Sequence, residues 1–529
     1  MRWHPRRSGF VWGALVWLVA AAPVLAQSGP RFAIQRFEVI GASVLPAAQV
    51  EAALAPFTGE ARDFATVQSA VEALQKLYTD AGLTAVEVAL PEQRLRDGVV
   101  RIQVRELVFG SLTVESNRFY SEANVRRSLP ALVAGQTPDV NAVARNLRAA
   151  NDNPSKQTTV VFRTGKAEGS VDATAQVSDQ RPLRAALGLD STGTPATGML
   201  RSSVSLQHAN VFDRDHVLSA NYLTSPERVK DVSILGLGYR MPLYGRGDSA
   251  EFAYLYSDVD SGVVGSAAGN LAISGRGSFW LGRYNWVLPK RGDLDHRFVL
   301  GADWRVFQNS VRTAGSPGSL LPDITTHPVS LGYSARVRSA QQDLSGFLTA
   351  FANISGGNDG GQASFDATRA GAPANYRLLR AGASWVRTLP REFQLRVSAS
   401  GQWSEDKLIS GEQFGLGGMD SVRGFIEREI VNDRGYRWGV EGYTPDLGAP
   451  LKLPLRTQAL VFFDYGEARR IDPLPGEIAR ETISSVGLGL RAAYQTQLSL
   501  RLDYGYVLQP GGLQSRGDQR LHGVVTLFF

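Results

Sequence analysis

From Leu183 to Phe529 hydrophobic and polar positions alternate with a period of two, the mark of strands with two unlike faces. Leu498, Leu500, Leu502, Tyr504 and Tyr506 alternate with Ser499, Arg501, Asp503 and Gly505. Phe393, Leu395, Val397, Ala399 and Trp403 alternate with Gln394, Arg396, Ser398, Ser400 and Gln402. Phe298, Leu300, Ala302 and Trp304 oppose Arg297, Gly301, Asp303 and Arg305. One face is apolar and the other carries charges of both signs. A soluble sandwich turns its apolar face inward, whereas a membrane barrel turns it toward lipid and leaves the charges in a wet lumen. Sixteen such segments can be counted, an even number. Trp280, Trp286, Trp304, Trp385, Trp403 and Trp438 all fall in this part, several near segment ends, as an aromatic girdle requires. The pattern predicts a transmembrane β-barrel of about 16 antiparallel strands over residues 181–529.

Before Leu183 the texture is different. Phe32, Ile34, Phe37 and Val39 suggest a strand, and Pro46–Phe57 a helix with proline in its first turn. Val67, Val71, Leu74 and Tyr78 give Thr66–Asp80 one apolar helical face, with Gly82 as the stop. Strands follow at Val86–Val88 and Val100–Val104. The order then recurs: a strand at Phe109–Glu115, helices at Ser121–Leu129 and Asp139–Ala150, and strands at Thr158–Phe162 and Val171–Val177. Two small α/β modules are expected, at 31–106 and 107–180.

One stretch of the barrel half resists the alternation. Ser404–Gly435 is longer than a strand connection needs, which points to a function or to disorder. Its middle, Leu416–Phe425, is Gly-rich, and Val422 and Phe425 bracket a lone cation, Arg423. A guanidinium between apolar neighbours calls for a carboxylate, best in a planar bidentate pair. Asp464 lies on the polar face of Leu455–Gly466, and Glu441 on the polar face of the neighbouring segment. Spacing alone equally allows a solvated loop charge and an ordinary lumen acid.

At these residues the chain resembles the two-partner secretion outer-membrane transporters, the TpsB family of the haemolysin and filamentous-haemagglutinin transporter type, within the superfamily that includes BamA. LGGMDSVRGF resembles the family's sixth-loop motif, and FFDYG its F-x-D-x-G strand motif. The resemblance implies that the loop folds back into the barrel and its arginine binds the strand aspartate. It assigns loop roles to Val422, Arg423, Gly424 and Phe425, and wall roles to Phe462, Asp464 and Gly466; the polar-face position of Glu441 offers a second contact beside them. The strand count places 404–435 between the eleventh and twelfth strands, the sixth connection on the outer side. The two amino-terminal modules match the order of POTRA domains, and Leu90-Pro91-Glu92-Gln93 resembles the first of them. A terminal Phe529 suits an outer-membrane β-signal.

Composition narrows the remaining classes. The chain has 529 residues and no cysteine, which excludes a disulfide scaffold and thiolate chemistry. Beyond residue 30 no run of eighteen apolar residues occurs, which excludes a helical membrane span. Arg2, Arg6 and Arg7, the apolar run Phe10–Ala22 and Val24-Leu25-Ala26 read as a signal peptide over 1–26, cleaved after Ala26. Its loss takes the formal charge from +6 to +3, too small for nucleic-acid binding. His4, His208, His216, His296, His327 and His522 are scattered, with no HExxH, no GxSxG and no complete phosphate loop at Thr164-Gly165-Lys166. No catalytic residue, metal site or cofactor is expected. The Arg-Gly-Asp triplets at Arg246, Arg291 and Arg516 read as turn chemistry; the strand count puts the first two on periplasmic turns.

The resemblance implies export of a secreted exoprotein across the bacterial outer membrane, its amino-terminal secretion domain being received in the periplasm. The alternatives are a barrel-assembly factor, or a porin or adhesin. Only Gln27–Arg31 separates the expected cleavage site from the first strand, too little for the plug helix of many relatives. The loop at 404–435 is therefore expected to restrict the lumen alone.

Overall fold

The computed structural model describes residues 30–258, 261–266, 269–274, 276–308, 322–450 and 452–529. The expected signal peptide lies outside them. The chain divides into two compact units at Leu107/Val108.

In the first unit Arg36–Ile40 runs parallel to Val99–Glu106, and Val86–Ala89 runs antiparallel to the other side of that central strand. Helices Ala47–Leu54 and Phe64–Asp80 cover the sheet. The second begins at Asp63, whose carboxylate accepts from Thr66 N at 2.9 Å, and buries Val67, Ala70, Leu74 and Tyr78. It stops before Gly82, which takes φ +84°. Two expectations need correction. The first strand is broken at Gln35, because Gln35 N and Arg36 N both turn to Gly98 O; Phe32–Ile34 pairs instead with Gly59–Arg62. Pro46 sits just outside its helix with extended backbone, and Ala55–Phe57 is a tighter 3-10 turn.

In the second unit a like module precedes the barrel. Its sheet runs Val108–Glu115, Ser170–Asp179, Lys156–Thr164, under helices Glu122–Arg127 and Val140–Asn151, capped by the Ser121 and Asp139 side chains. This module is tied to a barrel turn by a polar cluster with no solvent. Lys156 Nζ lies 2.5 Å from Asp215 Oδ2 and donates to Asn124 Oδ1 at 2.7 Å. Tyr244 OH and Asn153 Nδ2 also donate to Asp215. Burial pulls the Lys156 amine below its ordinary value, against the opposing pull of Asp215. Asn146 and Arg148 donate to the turn carbonyls of Tyr244 and Leu288. The turns after the fourth and sixth strands thus belong to the side that carries the module.

Among the described residues sixteen antiparallel strands close the barrel, with Ile324–Thr326 as a short extension of the eighth. Closure joins Leu183–Asp190 to Gln519–Phe528, Leu187 facing Leu527. Alternation sets the two faces: Trp280 and Trp304 are 60% and 56% exposed on the outer wall, whereas Phe279 and Asp303 are buried inside. The connection 404–433 runs between the eleventh strand, Gln394–Trp403, and the twelfth, Arg434–Tyr443.

The lumen departs from the expected pattern in one region. Ile234, Leu255, Phe279 and Phe307 on the inner wall are apolar and buried. They are covered by Phe365 of the helix Gln362–Thr368, by Tyr376, and by Leu408 and Ile409. A second connection, 354–376, therefore closes on the lumen beside 404–435, which does not restrict it alone. Inward apolar side chains stay dry when loops cover them, so strict inward polarity is not required there.

Candidate functional site

The connection 404–435 folds back into the barrel as a small hairpin, Phe414–Leu416 pairing with Ile430–Asn432. Gly417 and Gly418, at φ +98° and +107°, turn the chain toward its tip. Leu416, Val422, Phe425 and Ile430 of the loop are fully buried against Ala468, Ile483 and Val507 of the wall. The two apolar neighbours of the Arg423–Gly424 pair thus anchor the tip and aim the guanidinium at the opposite acids.

Arg423 Nε donates to Asp464 Oδ2 at 2.7 Å and Nη2 to Oδ1 at 2.8 Å, a bidentate pair; Arg423 N adds a third bond to Oδ2 at 3.1 Å. Nη1 donates to Glu441 Oε1 at 2.7 Å and reaches Asp503 Oδ1 at 3.4 Å. Arg423 and Asp464 are 4% and 2% exposed. A buried pair of this kind holds only when every charge is met. Asp503 is met by Arg491 Nη2 at 2.9 Å and Arg501 Nε at 2.7 Å. Three guanidiniums thus answer three carboxylates. Arg501 also donates to Met419 O and Asp420 Oδ1, both at 2.6 Å, fastening the loop on its flank. Tyr443 OH supports Glu441 at 2.8 Å, and a cavity of 320 Å³ opens on this side of the cluster.

The remaining motif positions are steric. Gly424 has φ +97°, a left-handed conformation that suits glycine. Its N–H donates to His522 Nε2 at 3.0 Å. A Cβ on Gly466 would stand 2.8 Å from Leu416 Cδ2 and 3.1 Å from Val422 Cγ2. Phe462 lies under Arg423. All eight residues singled out in the sequence therefore meet at one place.

Sequence reasoning missed five participants: Asp503, Arg491, Arg501, His522 and Gly505. A Cβ on Gly505 would come within 2.7 Å of Gly424 N, so the tip rests on bare wall backbone. Asp503 and Gly505 were on the polar face of a strand already recognised; only their contact with a loop eighty residues earlier was invisible. Elsewhere along the loop, Glu412 is held by Arg305 at 2.7 Å and Arg380 at 3.3 Å, and buried Asp433 by Arg369.

Comparison with known proteins bears on this site directly. Residues 330–492, which include the loop and Asp464, match the family of haemolysin secretion/activation proteins ShlB/FhaC/HecB. Residues 32–106 match the ShlB-type POTRA domain. The outer membrane transporter CdiB of Escherichia coli is 24% identical over 424 residues, 77% of this chain and 68% of that protein. The solved structure of CdiB from Escherichia coli superposes with a TM-score of 0.75 at 19% identity, covering 97% of this chain and 93% of that one. CdiB from Acinetobacter baumannii gives 0.69 at 17% identity, covering 95% and 90%. With POTRA modules ahead of a closed barrel of sixteen strands, the chain belongs to the two-partner secretion (TpsB) transporters, proteins of the bacterial outer membrane that carry a secreted partner exoprotein across it.

Proposed function

We propose that the periplasmic modules receive the exoprotein's amino-terminal secretion domain in extended form, and that the barrel then passes the chain outward with the loop at 404–435 displaced. In this reading 1–26 is a cleaved signal peptide, 31–106 and 107–180 are the two POTRA domains, and 181–529 is the barrel embedded in outer-membrane lipid. Val422, Arg423, Gly424 and Phe425 form the loop latch, and Phe462, Asp464, Gly466 and Glu441 its seat. No nucleotide is available in the periplasm, so capture inside and folding outside supply the direction.

The observation that carries the reading is the buried Arg423–Asp464 pair. Arg423 and Asp464 are buried together in a bidentate contact that seats the loop tip, and removing one partner of such a buried pair costs roughly 3–5 kcal/mol. The test is Asp464→Ala in cells that make the exoprotein. The barrel is expected to insert in normal amount and the exoprotein to stay behind in the periplasm. Export at the unmodified level removes the latch from the mechanism. Loss of many outer-membrane barrels on depletion of the transporter, in place of one exoprotein, points instead to assembly of other barrels.

A further inference from the structure

Three neighbouring strands of the barrel end in a row of cations on the lipid-facing side. Arg434 opens the twelfth strand, Arg469 closes the thirteenth, Arg456–Arg469, and Arg480 opens the fourteenth, Arg480–Tyr494. Arg434 stands opposite Arg469, and Arg469 opposite Arg480. Period two puts all three on the outer wall, in line with the exposed Tyr436, Val461 and Leu488 of the same strands. The amino-terminal module binds turns at the other end of the barrel, so the row lies on the side away from it.

Like charges directly opposite on adjacent strands destabilise a sheet. One acid answers this row. Glu467 accepts from Arg469 Nε at 2.6 Å, Arg480 Nη2 at 2.8 Å and the Tyr436 hydroxyl at 3.3 Å, and is itself buried. It fixes the two guanidiniums while both side chains stay half-exposed. Among the described residues no carboxylate pairs with Arg434. Its guanidinium lies 4.8 Å from the centroid of the Trp403 ring, and its buried Nε has no hydrogen-bond partner. Arg276, also outward at the outer end of its strand, is by contrast matched by Asp258.

Below the row the wall is apolar. Tyr436, Tyr465, Trp438 and Phe463 pack ring against ring, with Tyr436 two residues, about 7 Å, below Arg434. Such rings mark the level where acyl chains give way to headgroups. Between Trp403 and Tyr436 a cavity of 340 Å³, floored by Leu379, Ala381 and Gly401, reaches up to Arg434 and Arg469.

We propose that Arg434, Arg469 and Arg480 hold a phosphate of an outer-leaflet lipid whose acyl chain lies in the groove between Trp403 and Tyr436. Three cations less one acid leave a surplus of two, close to the charge of a phosphate monoester, about −1.5 to −2. The planar fork of arginine bonds two phosphate oxygens at once, which a lysine row would not do. Trp403 and Arg434 also end the two strands that flank the in-folded loop, so the bound lipid pins both stems of that loop to the wall.

The test titrates the full-length transporter, in a neutral detergent, with diphosphorylated lipid A and counts bound lipid by native mass spectrometry. Arg434→Gln strands no acid, and Arg434→Gln with Arg480→Gln leaves Arg469 on Glu467, so neither empties the sheet of its pairing. The single variant is expected to bind several-fold more weakly and the double variant more weakly still, whereas Arg276→Gln binds as the unmodified chain does. Unchanged binding in the double variant overturns the site. Equal binding of lipid A stripped of its phosphates overturns phosphate recognition. Inorganic phosphate bound as tightly as lipid A reduces the row to an ion site and overturns the lipid as its occupant.

Discussion

The guanidinium carbon of Arg423 lies 3.5 Å from the centroid of the Phe462 ring. The same side chain is paired with Asp464, two residues further along that strand. One inward face of one strand thus offers the loop tip both a π surface and a bidentate acid, and period two is what brings them together. The contact explains why an aromatic residue sits inside an otherwise charged patch.

Replacement of Phe462 by leucine keeps an apolar side chain, though a smaller one, and removes the π face. The expected cost is about 0.5–2 kcal/mol. Arg423→Lys keeps the charge but loses the planar fork, and is expected to cost more than Phe462→Leu. A single reporter, Val422→Cys, reads both: this position has no exposure while the tip is seated. Labelling by a water-soluble maleimide should run slowest in the reporter alone, faster with Phe462→Leu and fastest with Arg423→Lys. An identical rate in all three would remove Phe462 from the seat.

Gly466 and Gly505 are both places where a methyl group has no room. An alanine at Gly466 meets Leu416 and Val422, and one at Gly505 meets the backbone of Arg423 and Gly424. Gly505→Ala is the harsher, because backbone cannot rotate away as a side chain does. Each substitution is expected to unseat the tip while leaving the barrel closed. The heat needed to unfold the barrel on a semi-native gel should stay close to that of the unmodified chain, while Val422→Cys becomes reactive.

Arg369 links the two loops that enter the lumen. It donates to both oxygens of Asp433 and to Leu408 O at 2.6 Å. Asp433 also accepts from Leu408 N and Ile471 N. Closure by two loops implies a low resting conductance. Arg369→Ala leaves Asp433 buried without its cation, and channel openings in planar bilayers are expected to grow larger and more frequent. Unchanged openings would confine gating to the tip.

Acid should loosen the first module through Glu106. Burial pushes this carboxyl up. Donation from the Ser43 hydroxyl, the Val44 and Ser43 N–H groups and the Tyr78 hydroxyl outweighs burial and holds it below the usual range. A folded value below the unfolded one adds stability above the unfolded value, and that stability is lost as pH falls through the folded one. Hydrogen exchange of residues 32–106 in the whole protein should therefore quicken below about pH 4. Glu106→Gln is expected to cost about 1 kcal/mol at neutral pH and to flatten the acid limb.

Local pattern determined a good deal of this protein. Strand alternation named the barrel, its strand number and its outer face, because lipid outside and water inside act on every second residue alike. Helical spacing and turn glycines outlined both small modules, for these are short-range preferences. The isolated cation of Arg423 and the inward acids Asp464 and Glu441 marked the site, since a charge between apolar neighbours stands out in one dimension. Which acids and which backbone meet that cation was decided only in three dimensions: Asp503, Gly505 and His522 reach it through barrel closure, and closure leaves no trace in local spacing. The same holds for Lys156 with Asp215 and for Arg369 with Asp433, pairs far apart along the chain whose burial depends on a neighbour's surface.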